Sequence, residues 1–130
     1  MLKEKLQIQK PTVKFISAKP HSFTFTSMKV DIKLAVTNPN PIALKLDKLD
    51  LLLYINDKKT TTVMFTNIDL PAKGTAPLNT TVKVPYKEVG TAIVSIVRSK
   101  GKAHYKLDGI IYIKTPVGML DFPVTVYEKK

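Results

Sequence analysis

The stretch Val30-Asp31-Ile32-Lys33-Leu34-Ala35-Val36-Thr37-Asn38-Pro39-Asn40-Pro41 decides the fold class. Val30, Ile32, Leu34 and Val36 point one way, and Asp31, Lys33 and Thr37 the other. Strict alternation of this kind makes a half-buried antiparallel strand, with one face on a core and one in water. The strand must then stop. Pro39 and Pro41 each lack a backbone donor and push the preceding residue out of the helical region. Asn38 and Asn40 carry side chains that can bond the backbone groups left over. The motif therefore reads as a structural corner that sends the chain toward a second sheet.

The same period recurs outward in both directions. It appears at Leu49, Leu51, Leu53 and Ile55, and at Leu78, Thr80, Val82 and Val84. It returns at Tyr105, Leu107, Gly109, Ile111 and Ile113, and at Leu120, Phe122, Val124 and Val126. Weaker runs lie at Thr12–Ala18, Ser22–Ser27 and Thr60–Phe65. Lys19-Pro20-His21, Asn56-Asp57-Lys58, Pro71-Ala72-Lys73-Gly74 and Pro116-Val117-Gly118 supply turns between runs. Pro123 inside the last run marks an edge strand or a bulge. One segment changes period: Val89, Ala92, Ile93, Ile96 and Val97 follow the spacing of an amphipathic helix. Glu88 near its start and Arg98 and Lys100 near its end suit the helix dipole. Gly101 is a C-terminal stop, and Gly90 weakens the first turn. The expectation is an all-β, immunoglobulin- or fibronectin-III-like antiparallel β-sandwich of seven to eight strands, with one short helix at about 87–99. Residues 1–10 are expected to form a flexible N-terminal segment and 11–127 a single domain; the chain beyond Tyr127 is expected to fray.

With 130 residues the chain can bury roughly two-thirds of its unfolded surface and needs no disulfide or metal to fold. It has no cysteine, which excludes a disulfide scaffold, a thiolate metal site and a Cys nucleophile. No stretch approaches the length of a membrane span, and Met1–Lys10 lacks the apolar run of a signal peptide. The location expected from the chain as it stands is cytoplasmic, or periplasmic or membrane-anchored had a leader been removed. Net charge is +11, from 21 basic and 10 acidic residues. The excess is even along the chain, +6 over residues 1–65 and +5 over 66–130, and Arg98 is the sole arginine. Lysine is a hydrated point charge and arginine a planar fork that reads bases and clamps phosphates, so sequence-specific nucleic-acid recognition is not expected. Lys29, Lys33, Lys83, Lys106 and Lys114 fall on the polar register of their strands. They either keep open sheet faces from pairing with other chains or form a face that contacts polyanions. Tyr54, Tyr112 and Tyr127 also fall outward. Lysines gathered on one sheet would favour binding, and scattered ones solubility.

Catalytic patterns are missing. His21, placed in a turn, and His104, opening a strand, are the two histidines, and neither has metal-ligand spacing. The chain has no GxSxG elbow or phosphate loop. An enzyme would require a pocket that sets His104 or His21 beside an acid. No catalytic residue, metal site, cofactor or small-molecule ligand is expected. Asn79-Thr80-Thr81 fits a glycosylation triplet by rule and reads as ordinary strand.

The run Val30 to Pro41, continued by Ile42-Ala43-Leu44, resembles the WHy domain, named for water stress and hypersensitive response. That domain marks the atypical folded class of late embryogenesis abundant (LEA type 2) proteins. Lys10-Pro11-Thr12-Val13 precedes it, and Leu49–Asn56, Leu70–Gly74, Thr80–Pro85, the helix, Tyr105–Ile113 and Thr115–Gly118 follow in family order. The resemblance spans about Pro11 to Val126. It implies a fibronectin-III-like sandwich without catalytic residues or cofactor, and a protective role in desiccation, cold or heat. Client proteins or membrane surfaces are then the expected partners. The other reading is a basic binding module for an acidic partner: anionic membrane, nucleic acid or protein.

Overall fold

The computed structural model describes residues 8–98 and 103–128. Among the described residues there are seven strands: β1 Thr12–His21, β2 Ser27–Thr37, β3 Leu44–Ile55, β4 Lys58–Leu70, β5 Thr75–Pro85, β6 Tyr105–Thr115 and β7 Gly118–Tyr127. A 3-10 turn at Tyr86–Glu88 and helix α1, Thr91–Arg98, separate β5 from β6. The strands form two antiparallel sheets, one ordered β1-β2-β5 and the other β4-β3-β6-β7. Their inner faces share one core, in which Ile32, Leu34, Leu46, Leu51, Leu53, Leu107 and Ile111 are fully buried. The chain is an all-β sandwich with one short helix.

The alternating runs become strands because each can bury one face. Truncating such a buried Leu or Ile to Ala costs about 2–5 kcal/mol. Every buried residue of β2 from Met28 to Val36 lies on the even register. Asn56 and Asp57 adopt left-handed backbone, with φ 49° and 69°, and close the β3–β4 hairpin. Pro123 lies in β7, the outermost strand of its sheet, where a missing donor is harmless. Gly109 sits where a Cβ would meet the Asp50 carbonyl oxygen on the neighbouring strand, so β6 approaches β3 closely there.

Three expectations change. Ser22–Ser27 contains no separate strand; β1 runs on through Lys19-Pro20-His21, which is therefore not a turn, and the hairpin closes at Ser22–Thr26. Ser22 takes φ 54°, and the Thr24 hydroxyl binds the Ser27 carbonyl, ordering the loop locally. The helix is shorter than 87–99. Gly90, with φ 90°, breaks it from the 3-10 turn, so Val89 is not on the helix and the phase resets. Val94 and Val97 become the buried pair, while Ala92 and Ile96 are exposed. His104 precedes β6, and its backbone exchanges hydrogen bonds with Asn56. Residues 1–7, 99–102 and 129–130, with Lys100 and Gly101 among them, lie outside the described residues. Near the two ends, Ile8 packs against the core, and the Ala18 amide donates to the Glu128 carboxylate at 3.1 Å. No helix among the described residues is long and apolar enough to cross a membrane.

Candidate functional site

Two polar regions stand out, and the sandwich treats them in opposite ways. The first is the corner Asn38–Pro41. Asn38 and Asn40 are 0% and 1% exposed. The Asn38 amide nitrogen Nδ2 donates toward the carbonyls of Ile42 (2.9 Å), Pro71 (3.1 Å) and Leu70 (3.2 Å). Its Oδ1 accepts from the Asn40 backbone N–H at 3.0 Å and from Asn40 Nδ2 at 2.9 Å. Asn40 pairs with Gln9 as a peptide unit would: Gln9 N–H donates to Oδ1 at 2.7 Å, and Nδ2 donates to the Gln9 carbonyl at 3.0 Å. The Asn38 N–H donates to the Gly74 carbonyl, and the Lys73 N–H to the Asn40 carbonyl. The two carboxamides thereby tie the N-terminal approach to β1, the β2–β3 connection and the β4–β5 turn together. Every nitrogen and oxygen of the two carboxamides has a partner among the described residues, and both side chains are turned away from solvent.

The second region is the outer face of the β1-β2-β5 sheet. Register places Lys29 directly opposite Lys83 on one side and His21 on the other. Asp31 stands between Lys19 and Thr81, and Lys33 between Ser17 and Asn79. Lys14 lies beside Ala35 further along. Among the described residues the face thus carries Lys14, Lys19, Lys29, Lys33 and Lys83 around a single acid. That acid does not neutralise them by contact. Asp31 accepts from the Thr81 hydroxyl at 2.6 Å and bonds His21 Nε2 at 2.8 Å. These two bonds, Thr81 first, hold its carboxyl below the ordinary value of 3.8. Among the described residues no ion pair joins a lysine of this face to an acid.

The outer face of the other sheet differs. Lys45, Lys48, Lys59, Lys106 and Lys114 are interspersed there with Asp50, Asp69, Asp108 and Asp121, and Lys45 stands between Lys114 and Asp69. Lys45 pairs with Asp69 at 3.3 Å. Lys106 lies over the Tyr54 ring at 4.4 Å and Lys48 over Tyr112 at 5.2 Å. Of the five lysines read from the sequence, Lys29, Lys33 and Lys83 therefore share one basic face, while Lys106 and Lys114 sit in a mixed field. Lys14 and Lys19 belong to the basic face and were missed. Their strand reads weakly because an extra residue, Ile16, bulges between Phe15 and Ser17 and shifts the alternation.

His21 does stand beside an acid. Its Nδ1 bonds the Ser22 hydroxyl and its Nε2 bonds Asp31, each at 2.8 Å. The His21 and Asp31 side chains are 42% and 46% exposed on an open face. A hydrolytic serine works in a water-excluded site with oxyanion donors; this one lies in solvent, next in sequence to its histidine. No group of His, Asp or Glu among the described residues has the makings of a metal site.

Known proteins share this architecture. The family profile described as late embryogenesis abundant protein matches residues 33–127, well over half of the chain. This chain belongs to the late embryogenesis abundant family, class LEA_2. The solution structure of a protein from Arabidopsis thaliana superposes with a TM-score of 0.76 at 21% identity, covering 97% of this chain and 85% of that one. A second solution structure, of a late embryogenesis abundant protein, gives 0.59 at 21% identity, over 91% of this chain and 68% of the other. At such identities the likeness is one of fold. No curated protein matches the sequence. The family match takes in the corner, the end of β2 and the strands β3 to β7.

Proposed function

We propose that this protein is a non-enzymatic protective protein of the WHy type, acting when cells lose water or meet cold or heat by keeping labile proteins and membranes apart from one another. The observation that carries this reading is the family match over residues 33–127. The surface supports it: a sandwich whose two outer faces both bear lysines stays soluble as its concentration rises, and lysines on open sheets oppose edge-to-edge pairing.

The test is competitive. A labile enzyme is dried and rehydrated, or heated, with this protein and with an equal mass of an inert basic protein. Retention of activity well above the basic control supports a specific protective role. Equal retention reduces the effect to crowding by a cation and ends the proposal.

A further inference from the structure

Lys29 and Lys83 face each other directly across paired strands. Like charges in that position destabilise a sheet, and Asp31, engaged by Thr81 and His21, does not relieve them. At the end of the same face the β1–β2 loop presents Phe25, which is fully exposed. It shares a shallow cleft with Lys83 and Lys87. A phenylalanine exposed beside lysines has no role in the core. Apolar tip and basic surround are instead the pair of features that holds a protein at an anionic bilayer interface.

We propose that the outer face of the β1-β2-β5 sheet docks on an anionic lipid surface, with Phe25 entering the headgroup layer at its rim. The lysines supply charge without shape-specific phosphate clamps, which suits a fluid, laterally mobile array of headgroups. Nucleic acid fits less well. Arg98 lies over the Phe23 ring at 5.7 Å, and Tyr54 and Tyr112, which would stack on bases, lie on the other sheet beneath their own lysines. The inference goes beyond the protective role and fails separately from it: a protein that shields an enzyme in lipid-free solution yet ignores vesicles loses this inference alone.

The chain has no tryptophan, so Phe25→Trp makes a single fluorescent reporter. Mixed phosphatidylcholine–phosphatidylserine vesicles should shift its emission to the blue, and phosphatidylcholine alone should not. In co-sedimentation at low salt, the triple variant Lys29→Gln, Lys33→Gln, Lys83→Gln should lose about a hundredfold in partition. The triple Lys45→Gln, Lys59→Gln, Lys114→Gln removes the same charge from the opposite sheet and should lose less than about tenfold. Phe25→Ser should weaken binding with the fold unchanged by circular dichroism. Equal losses in the two triples, or an unshifted emission from the Phe25→Trp variant on anionic vesicles, would overturn the proposal. So would tighter capture of single-stranded RNA than of vesicles at the same ionic strength.

Discussion

The asparagine corner and the lysine face are both polar, yet only the corner was conspicuous in the sequence. In the corner each donor and acceptor meets a partner inside the protein, and the side chains are sealed from water. On the face, like charges stand opposite one another and the single acid is engaged by a neutral hydroxyl and His21. A polar group whose bonds are spent internally holds a structure together. One whose field is left open costs some stability and is available to something outside. The difference separates a motif whose polarity is spent on architecture from a surface whose charge is left facing water.

That contrast has measurable edges. Asn38→Ala removes the donor shared by the carbonyls of Ile42, Leu70 and Pro71 and the acceptor of two Asn40 N–H groups, and should cost about 4 kcal/mol in urea unfolding. Asn40→Ala, which mainly loses the Gln9 pairing, should cost about 2 kcal/mol. A loss below about 1 kcal/mol at Asn38 would break the comparison, because the corner would then not be a structural tie. Next, Asn38→Asp replaces the donor with a carboxyl aimed at carbonyls. Burial and those oxygens raise its folded-state pKa, so the variant should be least destabilised at acid pH and lose stability as pH rises. Parallel unfolding curves at acid and neutral pH would contradict that.

On the face the effects are smaller and opposite in sign. Lys83→Glu puts opposite charges across the Lys29 position and should stabilise by about 0.5 kcal/mol at low salt. The gain should fade in concentrated salt, and a salt-independent gain would point to packing. Thr81→Ala removes the strongest bond holding down the Asp31 carboxyl and should move its titration upward toward 3.8. The sign follows from the depressed pKa: whatever Asp31 contributes is present above 3.8 and is lost as pH falls through its folded value. Carboxyl NMR shifts across an acid titration report this directly.

The clean period of β2 was legible because one residue type governs each face of it. The turns at Asn56-Asp57 and Pro116-Val117-Gly118 were legible because few residues satisfy such backbones. Gly90 was recognised as a weak point, yet the helical spacing was carried through it, and its positive φ broke the phase that had placed Ala92 and Ile96 on the buried side. The extent of β1 was obscured by its bulge at Ile16 and by Pro20, which an edge strand tolerates. The basic face was the least legible part. Charge is even along the chain, and it becomes uneven in space only because β2 pairs with β5 and passes over β3 and β4. Strand order depends on pairings between distant segments, which local patterns of residues do not encode.

The corner also sets an order of events. Ile42 belongs to the chain leaving β2, whereas Leu70 and Pro71 end β4 and begin its turn. The Asn38 bonds to Asn40 and Ile42 are local, whereas those to Leu70 and Pro71 form only after β4 has arrived. Such a group contributes little while the sheets are assembling and fully once they are complete. Its removal should therefore speed unfolding and leave the folding rate almost unchanged. The corner then bears on how long the folded chain lasts more than on how fast it assembles.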